Sequence, residues 1–167
     1  MQLMHMEEHI CPVCGMDAAD SMVLVEHLGI EYHFCSRQCR ENFIARPQLY
    51  LGLQSARRSG REIIKRRRFS LDQAVEGDMQ AQLIQSLKQM MGVREVDVNS
   101  CDVAIEYDLL EATAEQIERA LVDAGADLGS GWPAQLKRGW VQYTEENELD
   151  NLTTGDAACC NKPPAKG

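Results

Sequence analysis

Aromatic side chains are scarce in this 167-residue chain, 5% of the whole, which argues against an extended surface for stacking bases. No apolar run is long enough to cross a bilayer, and no basic-then-apolar leader opens the sequence. A glycine-rich phosphate loop is missing, as are paired carboxylates in a recognisable motif and a Cys/His nucleophile arrangement, so the chain reads as a non-enzyme. Basic residues are sparse outside one belt. Seven of the 17 fall between Arg57 and Arg68, while the stretch from Phe69 to Asp156 carries 18 acidic and five basic side chains, for a formal net charge of −9. Hydrophobic content of 44% and charged content of 26% are those of a globular protein. The length suits one ordinary domain or two small ones.

Sulfur, by contrast, is plentiful. The stretch Cys11-Pro12-Val13-Cys14-Gly15-Met16 is followed by Tyr32-His33-Phe34-Cys35-Ser36-Arg37-Gln38-Cys39. Two cysteine pairs, spaced by two and by three residues, are metal-ligand arithmetic. In the first, Pro12 fixes φ and Gly15 is free to take a positive φ after the second thiol, which makes a tight knuckle. Backbone N–H groups in such a knuckle point at sulfur and favour the thiolate. In the second, Ser36 is a good N-cap, so a helix is expected over residues 37–44 with Cys35 just before it and Cys39 in its first turn. The positive end of that helix favours deprotonated sulfur. Four converging thiolates form a closed tetrahedral site. A disulfide framework is the alternative, but an odd count of seven cysteines at metal-type spacing fits a reducing cytoplasm better.

These residues also resemble a known family. Cys-Pro-Val-Cys-Gly-Met and Tyr-His-Phe-Cys-Ser-x-x-Cys, with Phe43, Pro47 and Tyr50 beyond them, are similar to a YHS domain of the TRASH type over residues 9–52. The resemblance implies a small treble-clef module that handles or senses heavy metals, copper prominently. It implies Cys11, Cys14, Cys35 and Cys39 as ligands, with Tyr32, His33 and Ser36 beside them. The metal stays open between zinc and copper(I).

Around this stretch the readings are plainer. Met4, His5, Met6 and His9 are donors that suit Cu(I), here read as a frayed terminus. Residues 22–27 and 30–34 form a hairpin about Gly29, with His27 solvated at its tip and His33 packed near the cluster rather than ligating. Phe43, Ile44, Leu49, Leu51 and Leu53 offer too little apolar surface for independent folding, which couples metal binding to folding. Residues 53–65 read as a basic linker that pairs with the acidic body, a reading preferred over nucleic-acid binding.

From residue 66 a second pattern begins. A strand at Arg67 to Leu71 precedes a helix capped by Asp78, with Met79, Leu83, Leu87 and Met90 on one face and Gly92 at its end. Val96 and Val98, then Val103, Ile105 and Tyr107, alternate about the turn at residues 99–102. Thr113-x-x-Gln116 is a capping box that opens a helix ending at Gly125, and a short last strand is expected at residues 126–128. The order is that of a split βαβ, ferredoxin-like unit. Over residues 66–129 it resembles a heavy-metal-associated domain, whose metal loop normally carries Cys-x-x-Cys. Here that loop is Asp72-Gln73-Ala74-Val75-Glu76-Gly77-Asp78-Met79 and has no cysteine, so the resemblance implies a docking fold without ligands. Cys101, in the hairpin turn, is read as a small filler.

A C-terminal helix is expected over residues 132–150, with Leu136, Trp140 and Tyr143 on one face, and Glu145, Glu146 and Glu148 opposing its dipole unless countered. The stretch 152–167 reads as a disordered tail whose Cys159-Cys160 pair offers two mobile thiolates to Cu(I). The fold class expected is α+β: a treble-clef-like, zinc-ribbon YHS module, a ferredoxin-like βαββαβ domain and a terminal helix. The function expected is heavy-metal homeostasis, with a metal ion and a protein such as a metal transporter as partners and no membrane insertion. The alternative is a zinc-stabilised adaptor.

Overall fold

The computed structural model describes residues 9–52, 55–56 and 59–154. It is a mixed α+β protein with two separate antiparallel sheets. The smaller sheet is the hairpin β1 (Val23–His27) and β2 (Ile30–Phe34). Leu28 and Gly29 both take positive φ, 53° and 78°, the two-residue turn whose twist matches a hairpin. Helix α1 (Arg37–Ala45) follows, and Ser36 caps it by accepting from Cys39 N–H. A 3-10 turn at Pro47–Leu49 then reverses the chain.

The core of this small unit is aromatic. Phe43 is fully buried, and the rings of Tyr32, Phe34, His27 and Tyr50 surround it at centroid distances of 5.1, 5.1, 5.7 and 6.4 Å. His27 is therefore not a solvated tip residue, because its edge packs on Phe43. Ile44, expected in the apolar side, is half exposed.

The larger sheet has the order β3-β5-β4, built from β3 (Ile64–Ser70), β4 (Val93–Asn99) and β5 (Asp102–Asp108). Its register aligns Phe69 with Val103, Arg67 with Ile105, and Val98 with Val103. Helices α2 (Gly77–Lys88) and α3 (Ala114–Asp123) bury Leu83, Leu87, Ile117 and Leu121. The Thr113–Gln116 capping box closes as expected. The last strand does not extend. Gly125 at φ +87° and Gly129 leave three residues between them, and only Leu128 bridges to Leu71.

Two boundaries differ from the pattern. The N-cap of α2 is Glu76, which leaves Asp78 in the first turn. The helix ends at Lys88, so Gly92 is not its C′ residue. Gly92 instead makes room for a close approach, since at φ +80° a Cβ there would lie 2.6 Å from Glu111 Cβ. Its bare backbone lets the turn after α2 lie against the turn after β5. Gly92→Ala is expected to cost about 1–3 kcal/mol through clash and strained φ, read as a lowered urea midpoint with an unchanged slope.

Helix α4 (Trp132–Thr154) runs beyond the expected end and packs on α3 and on the 3-10 turn. The apolar stripe predicted for it faces outward, with Leu136, Trp140 and Tyr143 each more than half exposed. The buried face carries Glu145 and Leu149 instead. Glu145 accepts from the Tyr107 hydroxyl and, at 2.8 Å, from Ala114 N–H, while Arg67 Nε stands 3.5 Å away. Lys65 pairs with Glu148 at 2.5 Å and Arg46 with Asp150 at 2.6 Å. These cations counter the acids that would otherwise oppose the dipole. No helix among the described residues is long and apolar enough to cross a membrane.

Candidate metal centre

Residues 9–18 close on themselves. Cys11 N–H donates to Met16 O at 2.8 Å, Gly15 N–H to Cys11 O at 2.9 Å, and Ala18 N–H to His9 O at 2.6 Å. Gly15 takes φ +77°, which turns the chain after Cys14. This knuckle and the start of α1 place four thiols together: the Cys11, Cys14, Cys35 and Cys39 sulfurs all lie within 4.8 Å of one another. Cys14 and Cys35 are 3.3 Å apart, and Cys35 and Cys39 are 3.6 Å apart. None of the four is joined in a disulfide.

The donor set fits a metal. A sulfur tetrahedron with bonds of about 2.3 Å has edges of about 3.8 Å, which falls between the short separations and the 4.8 Å limit. Cys11 and Cys39 are fully buried, whereas Cys14 and Cys35 keep partial access to solvent. The thiols also polarise one another. Hydrogen bonds from Cys14 and Cys39, then backbone N–H groups of Cys14 and Cys35, hold Cys11 far below the usual thiol range. Its hydrogen bond to Cys11 pushes Cys14 up to about 12, and the same partner, with Cys14, pushes Cys39 up as well. The cluster thus favours the thiolate at Cys11 and the thiol at Cys14 and Cys39, and metal binding there releases protons.

His33 is not among the clustered donors. Its ring meets His9 edge-on at 4.6 Å, its Nε2 lies 3.6 Å from Glu31, and its Nδ1 is buried without a hydrogen-bond partner among the described residues. Cys101 sits exposed at the β4–β5 turn, away from the four clustered sulfurs. Met4, His5, Met6, Cys159 and Cys160 lie outside the described residues.

The spacing of the cysteines says nothing of the seam that holds the centre to the larger sheet. Gln38 Nε2 donates to Met91 O and Glu111 O, both at 2.8 Å, and Gln38 Oε1 accepts from Met91 N–H at 3.2 Å. Asn42 Nδ2 donates to Glu111 O at 2.6 Å, and Gln116 Nε2 donates to Asn42 Oδ1 at 2.7 Å. Tyr50 adds a hydroxyl bond of 2.8 Å to Leu110 O, and burial pushes its pKa up. Gln38 and Asn42 are four apart on α1, a spacing that puts two amides on one helix face. Only that spacing hints at the seam.

No family model matches the chain, and no curated protein does. Two solved structures are similar to part of it. The crystal structure of oxidized MerP from Ralstonia metallidurans CH34 aligns at 16% identity over 40% of this chain and 96% of its own, with a TM-score of 0.37. The solution structure of apo-CopP from Helicobacter pylori aligns at 24% identity over 39% of this chain and 100% of its own, with a TM-score of 0.36. At these identities and scores the likeness assigns the chain to no family.

Proposed function

We propose that the chain is a metal-binding protein of heavy-metal homeostasis, which holds copper(I) through Cys11, Cys14, Cys35 and Cys39 to buffer, sense or pass it on. The observation that carries this reading is the convergence of four cysteine sulfurs within 4.8 Å. The YHS/TRASH resemblance of residues 9–52 favours copper, and the purely sulfur donor set suits a soft or borderline cation. Partial access to Cys14 and Cys35 suits a cargo that is exchanged rather than sealed in. The second unit, ferredoxin-like in strand order and without cysteine in its first loop, serves as a platform and not as a second site. The reading places the protein in the cytoplasm and gives it no catalytic role. A metal transporter is the natural kind of acceptor.

A second reading has its own observation. The seam of Gln38 and Asn42 ties α1 to the larger sheet, so a permanently bound zinc would serve only to hold an adaptor together. Loading the reduced protein with copper(I) and zinc in competition separates the two, since exchange with a copper(I) chelator is expected only for a cargo site. Truncation after Gly155, which removes Cys159 and Cys160, is expected to slow copper(I) transfer or lower its capacity and to leave zinc uptake unchanged. Identical uptake and transfer by both forms would remove the tail from the account.

A further inference from the structure

Strand β3 is an edge of the larger sheet, and most of its outer side is open among the described residues. Leu109 N–H donates to Ile63 O at 2.8 Å and Leu71 N–H to Cys101 O at 2.7 Å, so the odd positions of β3 turn their backbone toward β5. Ile64, Arg66 and Arg68 therefore direct their N–H and C=O groups outward. The edge is covered only at its end, where Gly129 N–H meets Ser70 O at 3.3 Å and Leu128 bridges Leu71. Beside it lies a groove of about 320 Å³ between β3 and α4, with Phe69, Leu128, Val141 and Trp140 as its apolar wall and Lys137 at its rim. Trp140 is 68% exposed.

An open edge with an apolar groove beside it invites an added strand. Its charge narrows what that strand is. Arg66 reaches Glu95 only at 3.7 Å across exposed surface, a contact of small worth. Arg68 and Lys137 have no ion partner among the described residues. A second copy pairing antiparallel through β3 would set arginines against arginines, which is destabilising. The chain's own stretch beyond Thr154 has one acid, Asp156, against Lys162 and Lys166, and Pro163-Pro164 cannot join a ladder. On a protein of net charge −9, the outer column of this edge is basic, with Glu106, Glu95 and Asp97 on the same sheet face in the strands behind it.

We propose that the β3 edge and the adjoining face of α4 take up an extended acidic segment of a partner protein as an added strand. Its backbone pairs with Ile64, Arg66 and Arg68. Alternate side chains then fall on the two faces of the sheet: one set, apolar, enters the groove against Phe69, Val141 and Trp140, and the other, acidic, lies over Arg66 and Arg68. The surface does not depend on what the thiols hold.

The test uses the full chain carrying Trp132→Phe, so that Trp140 is its single tryptophan, and a labelled peptide of alternating glutamate and valine, followed by fluorescence anisotropy and by Trp140 emission. Saturable binding with a change in Trp140 emission is expected, weakened about tenfold by Arg68→Glu and by Lys137→Glu. Both positions are exposed, and unchanged melting curves show that the variants fold. The same peptide N-methylated at alternate residues is expected not to bind, because it cannot complete the ladder. Equal binding of the N-methylated peptide overturns strand addition. Stronger binding of an oligothymidylate than of the peptide, self-association of the chain through this edge, or no peptide binding at millimolar concentration overturns the proposal as a whole.

Discussion

Glu145→Ala is expected to destabilise the full-length protein by about 3–5 kcal/mol, the range for removing one partner of a buried charge pair. The carboxylate is 2% exposed and serves three groups at once: the Tyr107 hydroxyl, the Ala114 N–H at the start of α3, and Arg67. It is both the anchor of α4 and a cap for the α3 N-terminus, where negative charge is favoured. Alanine leaves a buried hydroxyl and a helix N–H without their acceptor, and Arg67 without its counter-charge. Burial, followed by the bond to Glu145, is also what pushes the Tyr107 pKa up. Glu145→Gln keeps an acceptor and loses the charge, so it is expected to cost less than alanine. Urea unfolding of the two variants gives the order directly, and a Glu145→Ala protein as stable as the parent would show that α4 is held by other contacts.

Cys39→Ser is expected to abolish metal retention and to release the small unit from the larger one. Cys39 contributes a sulfur, and its N–H is the group that Ser36 caps. Structural zinc in small units is worth on the order of 10–16 kcal/mol of folding free energy, and Phe43 with its ring of aromatics is a small core to set against that loss. Loosened α1 no longer presents Gln38 and Asn42 to Met91 and Glu111. Amide exchange is therefore expected to rise across residues 9–52 and at the two turns of the seam, while the centre of β5, with α2 and α3 packed over the sheet, keeps its protection. Full protection of residues 9–52 in the variant would separate folding of this unit from its thiols.

Much of this architecture is written in short, local signals. The knuckle, the Ser36 cap, the Thr113–Gln116 box and the two hairpins each reside in a few consecutive residues, and each forms where the sequence places it. Features that depend on distant partners are not legible in this way. Leu136, Trp140 and Tyr143 have the spacing of a buried stripe, yet the helix turns its Glu145 face inward, because a carboxylate matched to Arg67, Tyr107 and Ala114 leaves no periodic trace. Gly92 looks like a helix terminator and is instead a contact with Glu111, sequence-distant and set by the packing of two turns. The basic belt is partly absorbed, with Lys65 and Arg67 paired to α4 acids, and partly left on the β3 edge as Arg66 and Arg68.

The central claim is that one metal ion sits on the four thiols. X-ray absorption at the metal edge of the full-length protein, loaded with one equivalent of zinc under reducing conditions, tests it most directly. Four sulfur scatterers at about 2.3 Å are expected, with the signal lost in Cys14→Ser or replaced by a mixed shell of lower affinity. A shell dominated by nitrogen or oxygen, or a four-sulfur shell unchanged in Cys14→Ser, would contradict the claim.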